Sequence, residues 1–212
     1  MTYVTQEVES KPFVLSEYLR VRFKKILDGI ATFLNGLGLM PNTITLIGLV
    51  GNAGAAVLLA FGYFIPGAAV VLLMGALDGL DGSMARLRKL PVEFGAFADS
   101  VSDRYSELLI FGGLMVYAMR QTDWWMALAV YLAASGSVLV SYIRARGGAV
   151  GMDTKVGIGS RFERYIVLVA SLFFGVPHIG MWIIAALSHV TALQRVFDVR
   201  RQAKAKNLIR YQ

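Results

Sequence analysis

The chain has 212 residues, 56% of them hydrophobic and 17% charged, with a mean hydropathy of +0.58. This balance excludes an ordinary soluble domain and points to one multi-span membrane domain without a separate soluble module. The absence of cysteine excludes disulfides and thiolate metal sites, while the net charge of +7 suits anionic headgroups and phosphorylated substrates. No nucleic-acid partner is expected, because the basic residues flank apolar spans.

Residues 1–12 are polar and expected to be loosely ordered, without the basic start and apolar core of a cleavable leader. From Phe13 to Leu34, Leu15, Leu19, Phe23, Ile26, Leu27, Ile30 and Phe33 recur at helical spacing, with Arg20, Lys24, Lys25 and Asp28 opposite. This pattern predicts an amphipathic helix lying among the headgroups. The Asn35–Leu39 run ends it. Six transmembrane helices are expected to follow, at about Asn42–Phe64, Pro66–Leu87, Val92–Met119, Trp124–Arg146, Gly159–Phe174 and His178–Arg200. Gly48, Gly51 and Gly54 predict a close-packing stripe on the first. The expected organisation is thus an N-terminal segment over 1–40, a membrane domain over 41–202 and a basic tail over 203–212. Of the 21 Lys and Arg residues, 19 fall in the N-terminal segment, between helices two and three, between four and five, or at the C-terminal end. All these lie on one side, with Arg104 just inside helix three there and Arg120 opposite. The positive-inside rule puts that side, and both termini, on the cytoplasmic face of the cell membrane.

The densest chemistry lies between Leu77 and Arg104. Asp78 and Asp81 are three residues apart, and Asp99 and Asp103 four, so each pair shares a helix face. Four carboxylates on two facing helices make a hard, oxygen-rich cage for one or two divalent cations such as Mg²⁺ or Mn²⁺. Unpaired at a membrane edge they would repel one another strongly. Gly79, Gly82, Ser83, Ala85, Gly95, Ala96 and Ala98 keep both helices lean, so a phosphate can approach the backbone. Arg86 is placed to grip it.

The pattern D-x-x-D-G-x-x-A-R, eight residues, then G-x-x-x-D-x-x-x-D is complete as Asp78, Asp81, Gly82, Ala85, Arg86, Gly95, Asp99 and Asp103. It resembles the signature of the CDP-alcohol phosphotransferases, integral membrane enzymes of phospholipid synthesis. The resemblance implies transfer of the phosphatidyl group of a CDP-linked lipid to an alcohol with release of CMP, a pair of Mg²⁺ or Mn²⁺ ions, and a homodimer. Asp78, Asp81 and Asp99 become the prime metal ligands. Asp103 is both near the metal and the general base on the acceptor hydroxyl. CDP-lipid contacts map onto Asp78, Gly82, Ala85 and Arg86, and more loosely onto Pro41, Asn42, Thr43 and Ile44. Val92 stands where some relatives carry a hydroxyl residue.

A second cluster comprises Ser141, Arg144, Arg146, Lys155, Arg161, Arg164 and Arg195, at the ends of helices four, five and six. Their convergence predicts a pocket for a phosphorylated acceptor. The pieces S-Y-x-[RK]-A-R, R-x-x-E-R and a final Q-R resemble the phosphatidylinositol-phosphate synthase branch and its archaeal-lipid counterpart. That branch implies inositol 1-phosphate as acceptor, with glycerol 3-phosphate next. A transporter also places carboxylates in membrane helices, but near the midplane on broken helices rather than at one face. Glu107, one turn past Asp103, reads as structural, paired with Arg104 or a neighbouring helix. His178 and His189 lack a partner at metal spacing.

Overall fold

The computed structural model describes residues 27–88 and 93–208, which hold seven helices and no strand. Helix α1 covers 27–36 of these residues. It is followed by α2 (Pro41–Ala60), α3 (Phe64–Leu87), α4 (Glu93–Arg120), α5 (Trp124–Ala149), α6 (Arg161–Phe173) and α7 (Pro177–Ala205). Most of the expected amphipathic helix, together with Lys89, Val92 and Arg210, lies outside the described residues.

Local chemistry explains the boundaries. Pro41 opens α2 and Pro177 opens α7, where the missing N–H and fixed φ cost nothing. Asp123 caps α5 by accepting from the Met126 N–H at 2.9 Å. The turns after α2 and α6 each carry a glycine at positive φ, Gly62 at 82° and Gly175 at 68°. Short turns of this kind make α2 and α3, α4 and α5, and α6 and α7 antiparallel neighbours. Arg120, ending α4, donates to the Ala60 carbonyl and lies over the Phe61 ring, so the first two turns share one end of the bundle.

One continuous core runs through α2 to α7, built on Leu59, Val71, Phe111, Leu114, Val130, Leu172 and Met181. Helices α2 and α4 pack closely at Gly113, where a Cβ would collide with the Ala56 carbonyl. Of the expected glycine stripe only Gly51 packs closely, against Met74; side chains at Gly48 and Gly54 would meet nothing within 4 Å. Large apolar residues also cover the outside, with Val50, Tyr131 and Leu193 all about 60% exposed (64%, 62% and 58%). Such a surface is at home in lipid.

Helices α2, α3, α5 and α7 are long and apolar enough to cross a membrane. Helix α4 has 28 residues, but its first half carries Asp99, Asp103, Arg104 and Glu107. Helix α6 has only 13 residues, about 20 Å at the usual rise. It begins at Arg161, after an irregular loop in which Gly157 takes φ 130°. At the end of the bundle opposite the first two turns, Ala31 of α1 packs with Ile44, Leu80 and Met84. Arg88 ties α1 down by donating to the carbonyls of Asn35 at 3.2 Å and Leu39 at 2.8 Å. The exposed Ile30 and Phe33 of α1 lie on its free side.

Candidate active site

The C-terminal half of α3 and the N-terminal half of α4 bring the aspartates together. One oxygen each from Asp78, Asp99 and Asp103 lies within 4.8 Å of the others. Asp81 is turned aside. Its Oδ2 accepts from the Thr45 hydroxyl at 2.7 Å and its Oδ1 from the Gly82 N–H at 2.5 Å. Arg161, from the start of α6, places Nη2 3.1 Å from Asp78 Oδ2 and 2.5 Å from Asp103 Oδ1. Arg104 Nη2 also lies 3.6 Å from Asp103 Oδ2. Two guanidinium groups do not balance three carboxylates at this spacing. The donor set is all hard oxygen, and it fits Mg²⁺ or Mn²⁺.

Beside a cavity of about 50 Å³ whose walls include Asp78, Asp103 and Arg161, two larger cavities flank the cluster. The smaller, about 240 Å³, is lined by Pro41, Asn42, Thr45, Asp81, Gly82, Ala85, Arg86, Gly95, Ala96 and Asp99. Thr43 and Ile44, expected here, are not among its walls, and Ile44 is buried under α1. Residues 41, 42 and 45 share one face of α2, so the helical period leads from Pro41 to Thr45. Gly82 leaves room for a close approach: a Cβ there would sit 3.3 Å from Arg86 Nη1. Arg86 in turn donates to the Ser83 hydroxyl at 2.8 Å, which holds its guanidinium over that gap.

The larger cavity, about 980 Å³, has a basic wall. Arg104, Ser141, Arg144, Arg161, Arg164 and Arg195 line it together with Asp103. Arg146 is exposed and stands outside. Lys155 pairs with Asp153 at 3.7 Å. The arginines are not equivalent. Arg164 is buried; its Nε and Nη2 donate to Glu107 Oε1 at 3.3 and 3.0 Å, and its Nη1 donates to the Gly159 carbonyl at 2.9 Å. Arg195 is also buried and donates to the carbonyls of Val156 at 3.0 Å and Val140 at 2.7 Å. Arg144 is exposed at the rim. Arg104 donates to the Ser141 hydroxyl and lies 3.8 Å from Glu107, so Glu107 serves two helices. Sequence reasoning gave no site role to Arg104 or Thr45. The one signal for Arg104 was a charge set inside an apolar helix.

The loop between α5 and α6 is held by α7. The Gly159 N–H donates to Thr191 Oγ1 at 2.8 Å and the Ile158 N–H to Gln194 Oε1 at 3.3 Å. Gln202 donates to the Asp153 carbonyl at 2.9 Å and Lys206 to the Gly151 carbonyl at 2.6 Å. Gly157, at φ 130°, sits so close to Thr191 that no side chain fits. This clasp fixes the backbone from which Arg161 and Arg164 project.

A helical membrane bundle with carboxylates at one end, between a lean phosphate-sized pocket and an arginine-lined cavity, defines a class of lipid phosphotransferase. The chain belongs to the CDP-alcohol phosphatidyltransferase family, whose model matches residues 38–194. It is 39% identical over 206 residues to the phosphatidylinositol phosphate synthase of Streptomyces avermitilis, covering 90% of this chain and 84% of that one. It is 32% identical over 189 residues to the archaetidylinositol phosphate synthase of Pyrococcus horikoshii, covering 87% and 96%. The crystal structure of the Mycobacterium tuberculosis phosphatidylinositol phosphate synthase with CDP-DAG bound matches with a TM-score of 0.78 at 32% identity, covering 82% of this chain and 94% of that one. The same protein in complex with manganese and citrate matches with a TM-score of 0.75 at 31% identity, covering 82% and 88%.

Proposed function

We propose that this enzyme transfers the lipid phosphate group of a CDP-linked lipid to inositol 1-phosphate and releases CMP. The observation that carries this reading is that three of the four aspartates divide between the two larger cavities. Asp81 and Asp99 line the smaller of these, and Asp103 lines the large basic one. The smaller suits the nucleotide diphosphate, with Gly82 allowing close approach and Arg86 and Asn42 as polar contacts. The large cavity suits the phosphate of the acceptor, with Arg144 and Arg161 presenting exposed guanidinium groups. The names of the relatives favour inositol phosphate over glycerol 3-phosphate.

In this reading Asp78, Asp99 and Asp103 hold the divalent cation, with Asp81 oriented by Thr45 at the edge of the set. Bound there, Mg²⁺ or Mn²⁺ supplies positive charge to the diphosphate and its leaving group. Asp103 takes the proton of the acceptor hydroxyl. That oxygen attacks the lipid-bearing phosphorus, the bond from this phosphorus to the bridging oxygen breaks, and CMP departs with the electron pair. The walls of the large cavity orient the acceptor so that one hydroxyl meets Asp103.

The same proposal includes six membrane crossings, with α4 and α6 completing the bundle beside the four long apolar helices. It also includes α1 lying in the interface, the site on the cytoplasmic face, a homodimer, and a membrane domain over 41–202. Purified enzyme given a CDP-linked lipid, Mg²⁺ and a panel of acceptors tests the reaction. CMP release should be strong with inositol 1-phosphate, weak with free inositol, and abolished by excess chelator. A preference for glycerol 3-phosphate would move the enzyme to another branch of the family. Full turnover in chelator would overturn the metal site.

A further inference from the structure

Arg161 stands on the boundary between two regions of opposite charge. Toward the bundle its Nη2 is 3.1 Å from Asp78 Oδ2 and 2.5 Å from Asp103 Oδ1. These two residues belong to the three-carboxylate group described above. Away from the bundle Arg161 lines the large cavity, as Arg144 does. Its side chain is 45% exposed, whereas that of Arg164, one turn on, is 2% exposed and committed to Glu107. Packing therefore fixes Arg164, whereas the half-exposed guanidinium of Arg161 is held by its ion pairs to Asp78 and Asp103. The loop clasped by α7 keeps its backbone in place.

A guanidinium held on a carboxylate weakens the hold of that carboxylate on a divalent cation, because two positive centres close to one carboxylate repel each other. A phosphate monoester in the large cavity competes for the same guanidinium, and it offers a bidentate, doubly charged partner. We propose that Arg161 is a positioning residue that couples the two halves of the site. In one setting it is ion-paired with Asp78 and Asp103. In the other it leaves them for the acceptor's phosphate while those carboxylates serve the divalent cation. Cation and acceptor favour the same setting, so each raises the affinity for the other. The identity of the acceptor rests on the function proposed above, but the competition between Arg161 and the cation does not.

The test is Mn²⁺ binding to the full-length protein in detergent, read from the electron paramagnetic resonance signal of free Mn²⁺, without any lipid substrate. Wild type and Arg161→Gln are titrated with and without inositol 1-phosphate, against a protein-free titration that accounts for Mn²⁺ held by the ester. Without ester, Arg161→Gln should bind Mn²⁺ at least about fivefold more tightly than wild type, the lower end of ordinary coupling between sites. Inositol 1-phosphate should tighten Mn²⁺ binding to wild type by a similar factor and leave Arg161→Gln unchanged. Arg161→Lys, with a single-pronged cation, should fall between them, which keeps the prediction testable if the glutamine variant does not fold. Unchanged or weaker Mn²⁺ binding on removing the guanidinium overturns the proposal, and so does a wild-type affinity that no phosphate ester moves. If glycerol 3-phosphate produces the linkage and inositol 1-phosphate does not, the coupling stands and the acceptor assignment falls.

Discussion

Whether an acidic or basic side chain at the site is held by a partner decides what it can do. Asp103 lies between the acidic cluster and the basic cavity, and it alone of the four aspartates lines the latter. Asp103→Asn keeps the shape and removes the proton acceptor. It should lower kcat by about a hundredfold or more, the usual worth of a general base, while leaving CDP-lipid affinity nearly unchanged; a variant with normal turnover would place the base elsewhere. The arginines separate by the same logic. Arg144 is exposed at the cavity rim, so Arg144→Ala should raise the acceptor KM roughly tenfold to a hundredfold, the worth of one charge-assisted contact, without lowering the melting temperature. Arg164→Ala leaves the half-buried Glu107 without its main partner. Losing one member of a buried pair costs up to about 3–5 kcal/mol, and although Glu107 is only half-buried and keeps Arg104 nearby, this variant should melt at a lower temperature whatever its effect on KM. A scanning calorimetry trace of the two proteins distinguishes these outcomes. The sequence shows four aspartates and their spacing directly, because each pair sits within one turn of one helix. It does not show that Arg164 belongs to Glu107 or that Thr45 belongs to Asp81, because those partners are 57 and 36 residues apart and meet only through tertiary packing.

At the scale of elements, hydrophobic period and proline and glycine punctuation mark the helices well. The expected starts of α4, α5 and α7 lie within one residue of those observed. The α6 start is expected at Gly159 and falls at Arg161, since Gly159 is drawn into contact with Thr191 and the backbone of Leu187. The use of α7 as a clasp was not legible. A run of Thr191, Gln194, Arg195, Gln202 and Lys206 reads as the polar face of a helix end, and only the fold shows that all five reach the backbone of one loop. This clasp makes a prediction about α6. Thr191→Val preserves shape but leaves the buried Gly159 N–H without an acceptor, a local cost of about 1–3 kcal/mol. The loop over 150–160 should then become more sensitive to protease, and the acceptor KM should rise while the CDP-lipid KM holds. Unaltered proteolysis together with unaltered KM would mean that the loop does not depend on this bond.

At the scale of the molecule, charge and turn length divide the bundle into two unlike ends. The tight turns at Phe61–Tyr63 and Gln121–Asp123 lie at one end, where Arg120 is the basic residue. The aspartates, the arginine cavity, the clasped loop and the C-terminal end of α7 gather at the other. The function proposed above needs a site that opens toward the compartment supplying both substrates, and the proposed orientation, with the charged end toward the cytoplasm, is the one the positive-inside rule predicts. Both arguments give the same direction, and the chain offers a clean way to test it because it has no cysteine. A single cysteine at Gln121, exposed in the turn between α4 and α5, should react with a membrane-impermeant maleimide in intact cells. A single cysteine at Lys204, exposed near the end of α7, should react only after permeabilisation. Labelling in the reverse order would place the site on the outer face, and labelling of both in intact cells would mean that α2 to α7 do not thread the membrane as proposed.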